Sequence, residues 1–225
     1  IHQHFNSPNQ AGSTRSFEFA KRLIKKEINL TILTGTFSGF DNLHLPKGKY
    51  KLEGINIYNL GTKYSSKMSY LRRVFSFIDF SLRSSFYVLT SERYDIVFCT
   101  STPITTAIPG LLAKLFRNAN FIFEVRDLWP EMPIAIGAIK GKALIDILYR
   151  FENITYRLAN YIIALSPGMK KGIIQSFKTY GGKIKKITII PNSSDIEFFD
   201  IKAKKEFRNL SKNYLERILS DLIHH

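Results

Sequence analysis

Short runs rich in β-branched and aromatic residues, at 30–34, 55–60, 95–100, 120–125, 161–165 and 186–190, alternate with longer stretches of helical periodicity. Parallel strands need long crossovers between them, so this alternation predicts an α/β fold: a Rossmann-like parallel sheet with helices on both faces. The opening residues Ile1-His2-Gln3-His4-Phe5 resemble the tail of a first strand whose start is expected upstream. Between residues 10 and 26, Phe17, Ala20, Leu23 and Ile24 recur at helical spacing, and Ser13 and Thr14 are expected to cap that helix. Open sheets of this kind bind ligands beyond the carboxyl ends of their strands, near the point where strand order reverses. That rule selects the loops 5–14, 101–105, 126–137 and 166–169.

A chain of 225 residues, 44% apolar, is long enough for one α/β core. Its formal charge of +15 calls for an anionic partner: nucleic acid, an anionic membrane or a phosphorylated ligand. Zinc-finger spacing, RNP-like aromatic motifs and a basic zipper are all missing, so nucleic acid is not expected. The single cysteine, Cys99, lies in the apolar run Ile96-Val97-Phe98-Cys99 and has no disulfide partner, which suits a reducing cytoplasm. No apolar stretch approaches the roughly 18 residues of a membrane span, and the basic-then-apolar order of a signal peptide is lacking, so a soluble or peripheral protein is expected.

Three loops carry candidate chemistry. Asn6-Ser7-Pro8-Asn9-Gln10-Ala11-Gly12-Ser13-Thr14-Arg15 leads into a helix start, where free N–H groups favour an anion. Gly12 would admit a ligand close to the backbone and Arg15 would add charge; the plain alternative is a turn and cap. The loop lacks the Gly-x-Gly-x-x-Gly dinucleotide fingerprint. Arg126-Asp127-Leu128-Trp129-Pro130-Glu131-Met132-Pro133 follows a strand and suits a rigid wall facing a cleft; alternatively, Arg126 and Asp127 merely brace it. Ser166-Pro167-Gly168-Met169 and Pro191-Asn192-Ser193-Ser194-Asp195 end two further strands with turn and cap residues.

The helical segment 70–89 has two apolar stripes. Leu71, Val74, Phe75, Ile78, Leu82, Phe86 and Leu89 are expected to face the core. Tyr70, Arg73, Phe77, Phe80 and Tyr87, with Lys67, Arg72 and Arg83 nearby, are expected to face an anionic membrane; the alternative is a helix buried on both sides.

Taken together, His2-Gln3-His4-Phe5, Gly12-Ser13-Thr14-Arg15, Glu124-Val125-Arg126-Asp127-Leu128-Trp129-Pro130-Glu131, Ser166-Pro167-Gly168-Met169 and Pro191-Asn192 resemble the N-terminal domain of glycosyltransferase family 4. The resemblance is strongest to bacterial O-antigen and capsule fucosamine-type transferases. It implies one half of a GT-B fold, the acceptor-side half of a retaining enzyme that uses no cofactor and no metal. A nucleotide-sugar, a UDP-sugar first, would donate to a polyprenyl-diphosphate-linked acceptor at the inner face of the cell membrane. Carried onto this chain, the catalytic candidates are Arg126 and Asp127, and the substrate-binding candidates are Gly12, Ser13, Thr14, Arg15, Trp129, Glu131, Ser166 and Asn192.

The chain departs from the family pattern in three places. Ala11-Gly12 stands where two glycines are usual, Ser193 follows Asn192 in place of glycine, and the donor-binding second domain with its Glu-x7-Glu motif is absent. The expected division is a domain at 1–200 and, at 201–225, a linker with a C-terminal helix that packs back on it. The stretch 211–222 resembles the closing helix of full-length relatives; an unrelated amphipathic end is the alternative. The chain alone is therefore expected to be inactive. The rival function is a non-catalytic module in which the same loops only bind anions or membranes.

Overall fold

A computed structural model of the chain describes residues 1–192 except 9, 11, 39–45, 66 and 136. The chain divides into Ile1–Pro191 and Asn192–His225, and the fold described is that of the first unit. The expected boundary at 200 and the expected closing helix at 201–225 lie outside the described residues.

The elements run α1 (Arg15–Ile24), β1 (Thr31–Ser38), β2 (Gly48–Leu52), β3 (Ile55–Ser65), α2 (Tyr70–Thr90), β4 (Ile96–Thr100), a short 3-10 turn (Ile104–Thr106), α3 (Ala107–Arg117), β5 (Asn120–Val125), α4 (Glu131–Ala135), α5 (Lys142–Leu158), β6 (Tyr161–Ala164), α6 (Pro167–Tyr180) and β7 (Ile187–Ile189). All six expected strands are present. The sequence reading missed β2, whose antiparallel pairing with β3 makes a hairpin on a sheet otherwise parallel.

The strands form two groups, ordered β1-β3-β2 and β4-β5-β6-β7. The opening residues join them. His2 N donates to Leu33 O and Gly35 N to Gln3 O, while Ile1 N donates to Phe98 O and Thr100 N to Ile1 O. Residues 1–3 thus lie between β1 and β4 as the middle strand, and the chain order reverses on either side of them.

Helices cover both faces. Ile32 and Leu33 are neighbours on β1 and point to opposite sides. Ile32 joins Phe5, Phe17, Ala20, Ile55 and Ile57 under α1, and Leu33 joins the larger core with Val88, Cys99, Phe121, Phe123 and Tyr156. The expected caps of α1 are corrected: Thr14 makes no side-chain cap bond, and Ser13 Oγ only accepts a long 3.5 Å contact from Arg15 N.

The two stripes of α2 also exchange places. Leu71, Phe75, Ile78, Leu82 and Phe86, expected in the core, are exposed, with Phe75 at 70% and Phe86 at 71%. Phe80, expected at a membrane, is fully buried, Arg73 donates to Met68 O, and Phe77 stacks on Tyr64. The cause lies in four small residues, Ser76, Ser81, Ser84 and Ser85, all buried on the inner face. Their size lets α2 approach closely, and three of the hydroxyls find carbonyls: Ser76 donates to Lys63 O, Ser81 to Thr105 O and Ser84, within the helix, to Phe80 O. Tyr70, Arg72 and Arg83 stay at the surface, where Arg83 pairs with Asp79.

Close approach recurs at α3. A Cβ built on Gly110 would meet the Phe121 ring at 2.3 Å and Cys99 Sγ at 2.8 Å. Gly110→Ala should therefore destabilise the domain by about 1–3 kcal/mol, the cost of overpacking a filled core. Chemical denaturation checks this, and an unchanged midpoint would show that the helix shifts freely.

Candidate functional site

The carboxyl ends of the middle strand, β4 and β5 meet at the reversal point, and side chains from all three gather there. Ser101, just after β4, accepts at Oγ from Arg126 N at 2.7 Å and from Asp127 N at 3.4 Å. Thr102 then donates its hydroxyl to Asp127 Oδ2 at 2.5 Å. Thr102 holds φ at +90°, a conformation costly for a β-branched residue and sustained only by its surroundings. Two loops are thus stitched into one wall.

His2 brings the middle strand into the same group. Its Nε2 lies 3.1 Å from Arg126 Nη1. A guanidinium only donates, so Nε2 accepts and the ring carries its proton on Nδ1. Burial, together with the Arg126 charge, holds the His2 ring well below the usual histidine range, and the same causes bring His4 down to about 4. Both rings are neutral near pH 7. His4 packs against Tyr64 and Phe77, with ring centroids 4.2 and 6.2 Å away. Arg126 therefore presents its charge beside two neutral imidazoles and an aromatic cluster. Sequence reasoning placed Phe77 at a membrane and gave no site role to His2, His4 or Tyr64. The signal for the histidines was available: they lie at the carboxyl end of the opening strand, at the reversal point, whereas Tyr64 comes from β3, one strand beyond β1.

The remaining candidates divide. Gly12 is exposed with φ +136°, and a Cβ there would meet Asn6 Nδ2 at 2.4 Å, so the turn requires glycine. With exposed Ser13 and half-buried Thr14 it lies beside the first turn of α1, where backbone N–H groups favour an anion. Arg15 does not join them. Its Nε donates to Glu124 Oε1 at 2.9 Å, and its two terminal nitrogens donate to Pro191 O and Ile190 O, each at 2.8 Å. Every guanidinium nitrogen is engaged and the side chain is buried, so the expected anion ligand is a clamp between α1, β5 and the segment after β7.

Trp129 is half-buried and packs on the main core, while Glu131 is exposed in the first turn of α4. Ser166 caps α6, its Oγ accepting from Met169 N at 3.2 Å. Asn192 is exposed and begins the second unit. Among the described residues, no group of three His, Cys, Asp or Glu could hold a metal ion. A half-open cavity of about 500 Å³ at the amino ends of β6 and β7, away from this cluster, is lined by Asn160, Tyr161, Ile184, Thr188 and three lysines, Lys183, Lys185 and Lys186.

An open α/β sheet with charged and hydroxyl groups at its reversal point defines a Rossmann-like ligand-binding domain. Residues 12–198 match the profile described as Glycosyltransferase Family 4. The match covers most of the chain, and the chain belongs to that family, whose role is glycosyl transfer between a sugar donor and an acceptor. No curated protein matches it.

If Arg15 is a clamp, Arg15→Met leaves Glu124 charged, buried and unpaired, which typically costs about 3–5 kcal/mol. Urea denaturation should show a loss of that order. A variant as stable as the wild type would return Arg15 to the list of ligand-binding residues.

Proposed function

We propose that this domain is the acceptor-side half of a retaining glycosyltransferase in surface polysaccharide synthesis, of the kind seen in O-antigen and capsule fucosamine transfer. It moves a sugar from a UDP-linked donor to a polyprenyl-diphosphate-linked acceptor, with the donor held mainly by a second domain. The observation that carries this reading is the Arg126–Asp127 wall, stitched by Ser101 and Thr102 and flanked by neutral His2. A fixed guanidinium there stabilises charge that develops on the diphosphate or the reacting sugar without reorganising. Asp127, already held by the Thr102 hydroxyl, is placed to accept from a sugar hydroxyl with its other oxygen. Gly12 and the first turn of α1 face the diphosphate through backbone N–H groups.

The chain alone should bind common UDP- and GDP-sugars only weakly. Calorimetry that finds a sub-micromolar site, or turnover by the isolated chain, would overturn the half-enzyme reading. In an enzyme joining this domain to its donor-binding domain, Asp127→Asn should lower turnover tenfold or more and leave the melting temperature nearly unchanged, because the amide oxygen still accepts from Thr102. Wild-type turnover with a large stability loss would leave Asp127 only a bracing role.

A lipid-linked acceptor places the protein on an anionic membrane, and the face that suits this is the bare stripe Leu71, Phe75, Ile78, Leu82 and Phe86 of α2. Exposed Arg72 and Arg83 edge it, and the chain's charge of +15 complements anionic headgroups. Each basic residue near such a surface contributes roughly 1 kcal/mol, so docking is reversible and weakens with salt. No described helix is long and apolar enough to cross the bilayer. Vesicle sedimentation should show binding to anionic but not neutral vesicles, lost in Leu82→Ser/Phe86→Ser without loss of fold. Equal binding to both lipids, or a stripe that instead joins two copies in solution, would refute membrane docking.

A further inference from the structure

The cavity at the amino ends of β6 and β7 lies at the opposite end of the sheet from Arg126. Asn160 N donates to Phe121 O, so the cavity stands beside the start of β5. Arg126 follows the end of that strand, roughly 15 Å away at the usual rise per residue. Its polar lining is Asn160, Thr188 and the three lysines, while the exposed Tyr161 ring and Ile184 add an apolar wall. No carboxylate takes part in that lining.

The chain gathers cations here by specific contacts. Gly181 and Gly182, at φ +82° and +107°, turn the backbone out of α6 toward Lys183. A Cβ on Gly182 would meet Arg157 Cδ at 2.8 Å, so glycine lets this turn lie against the Arg157 side chain. Lys114 donates to Leu158 O at 2.6 Å and Lys185 to Ala159 O, the carbonyls that close α5, where positive charge suits the helix dipole. Each of those bonds uses one of an ammonium's three donors, so Lys185 keeps two. Lys183 and Lys186 are exposed, and neither has a hydrogen-bond partner among the described residues. Asn160 Oδ1 accepts from Phe121 N at 3.0 Å, which leaves its amide N–H groups as the end open to a ligand. Among the described residues no Asp or Glu pairs with Lys114, Arg157, Lys183, Lys185 or Lys186. Burial, and after it the Lys114 charge, lower Lys185 from the ordinary lysine range, a cost that a bound anion offsets.

We infer that this cavity is a second ligand site, separate from the Arg126 wall, which holds the phosphates of a nucleotide-sized molecule among Lys183, Lys185 and Lys186 and its ring against Tyr161. Clustered ammonium groups in a concave lining focus positive potential, and a diphosphate has enough oxygens to accept from several of them at once. A volume of about 500 Å³ lies in the range of small-molecule sites, and the exposed Tyr161 ring offers a flat face for a base. The inference does not depend on the sugar-transfer reading.

Its test is calorimetry on the full chain at low salt, with inorganic pyrophosphate and ADP as probes. Both should bind at one site, ADP more tightly, and both should weaken as salt rises. Lys183→Ala/Lys186→Ala should weaken both probes by about tenfold or more, with the melting temperature unchanged because both side chains are exposed. Tyr161→Ala should weaken ADP by about fivefold and leave pyrophosphate as it was. Arg126→Ala should alter neither, which separates this site from the one at the carboxyl ends. Absence of binding, wild-type affinity in the double lysine variant, loss of binding in Arg126→Ala, or equal effects of Tyr161→Ala on the two probes would each overturn the inference. Anionic vesicles held through Lys183 and Lys186, with no affinity for free pyrophosphate, would make the patch a membrane contact and overturn it as well.

Discussion

The backbone hydrogen bonds of residues 1–3 hold the two strand groups together, and the rest of the architecture follows from them. One edge of this short segment pairs with β1 and the other with β4, so among the described residues the two strand groups are joined through Ile1, His2 and Gln3. A strand in that position also sets the reversal point, because the chain leaves it toward β1 on one side and returns to β4 on the other. The side chain of Gln3 extends the same junction to α2, donating to Ser76 O and Oγ. The site inherits its geometry from this arrangement: His2 rides on the middle strand and reaches Arg126, which follows its neighbour but one.

Buried polar chemistry does the second part of the assembly. Arg15 and Glu124 form an ion pair with almost no solvent contact, and two backbone carbonyls absorb the remaining guanidinium nitrogens. A buried pair of this kind contributes little net stability against an apolar substitute, but breaking it is costly, so it works as a register device between α1 and β5. The serines of α2 act similarly. The hydroxyls of Ser76 and Ser81 reach Lys63 O and Thr105 O only when the helix lies at one depth and rotation, which specifies the packing more narrowly than an aliphatic face would.

That rotation explains why the helix was misread. A hydrophobic stripe normally marks the buried side, since burial of large apolar groups dominates folding. In α2 the serine face can approach the loop and helix beneath it more closely than Leu82 or Phe86 would permit, and two of its hydroxyls, Ser76 and Ser81, meet carbonyls brought there only by the assembled fold. Periodicity contains no information about those carbonyls. Arg15 was misread for the same reason: an arginine at a helix start beside a glycine looks like an anion ligand until Glu124, more than a hundred positions away, is seen to occupy it.

Local chemistry was enough for much else. Strand positions were legible because β-branched and aromatic runs bounded by turn residues have few alternatives, and β5 falls at its expected residues, 120–125. The Arg126–Glu131 wall was legible as a charged, proline-stiffened end to a strand. Gly12 reads in the sequence as admitting a ligand, with a plain turn as the alternative, and its positive φ shows that the turn itself needs glycine. Tertiary structure alone decided which face of α2 meets water, that Arg15 is a clamp and that His2 stands beside Arg126. Each of these depends on which groups remote in sequence compete for one buried donor, acceptor or surface. Spacing along a chain specifies periodicity and local turns, whereas the partner of a buried polar group is fixed only once the sheet has brought distant strands side by side.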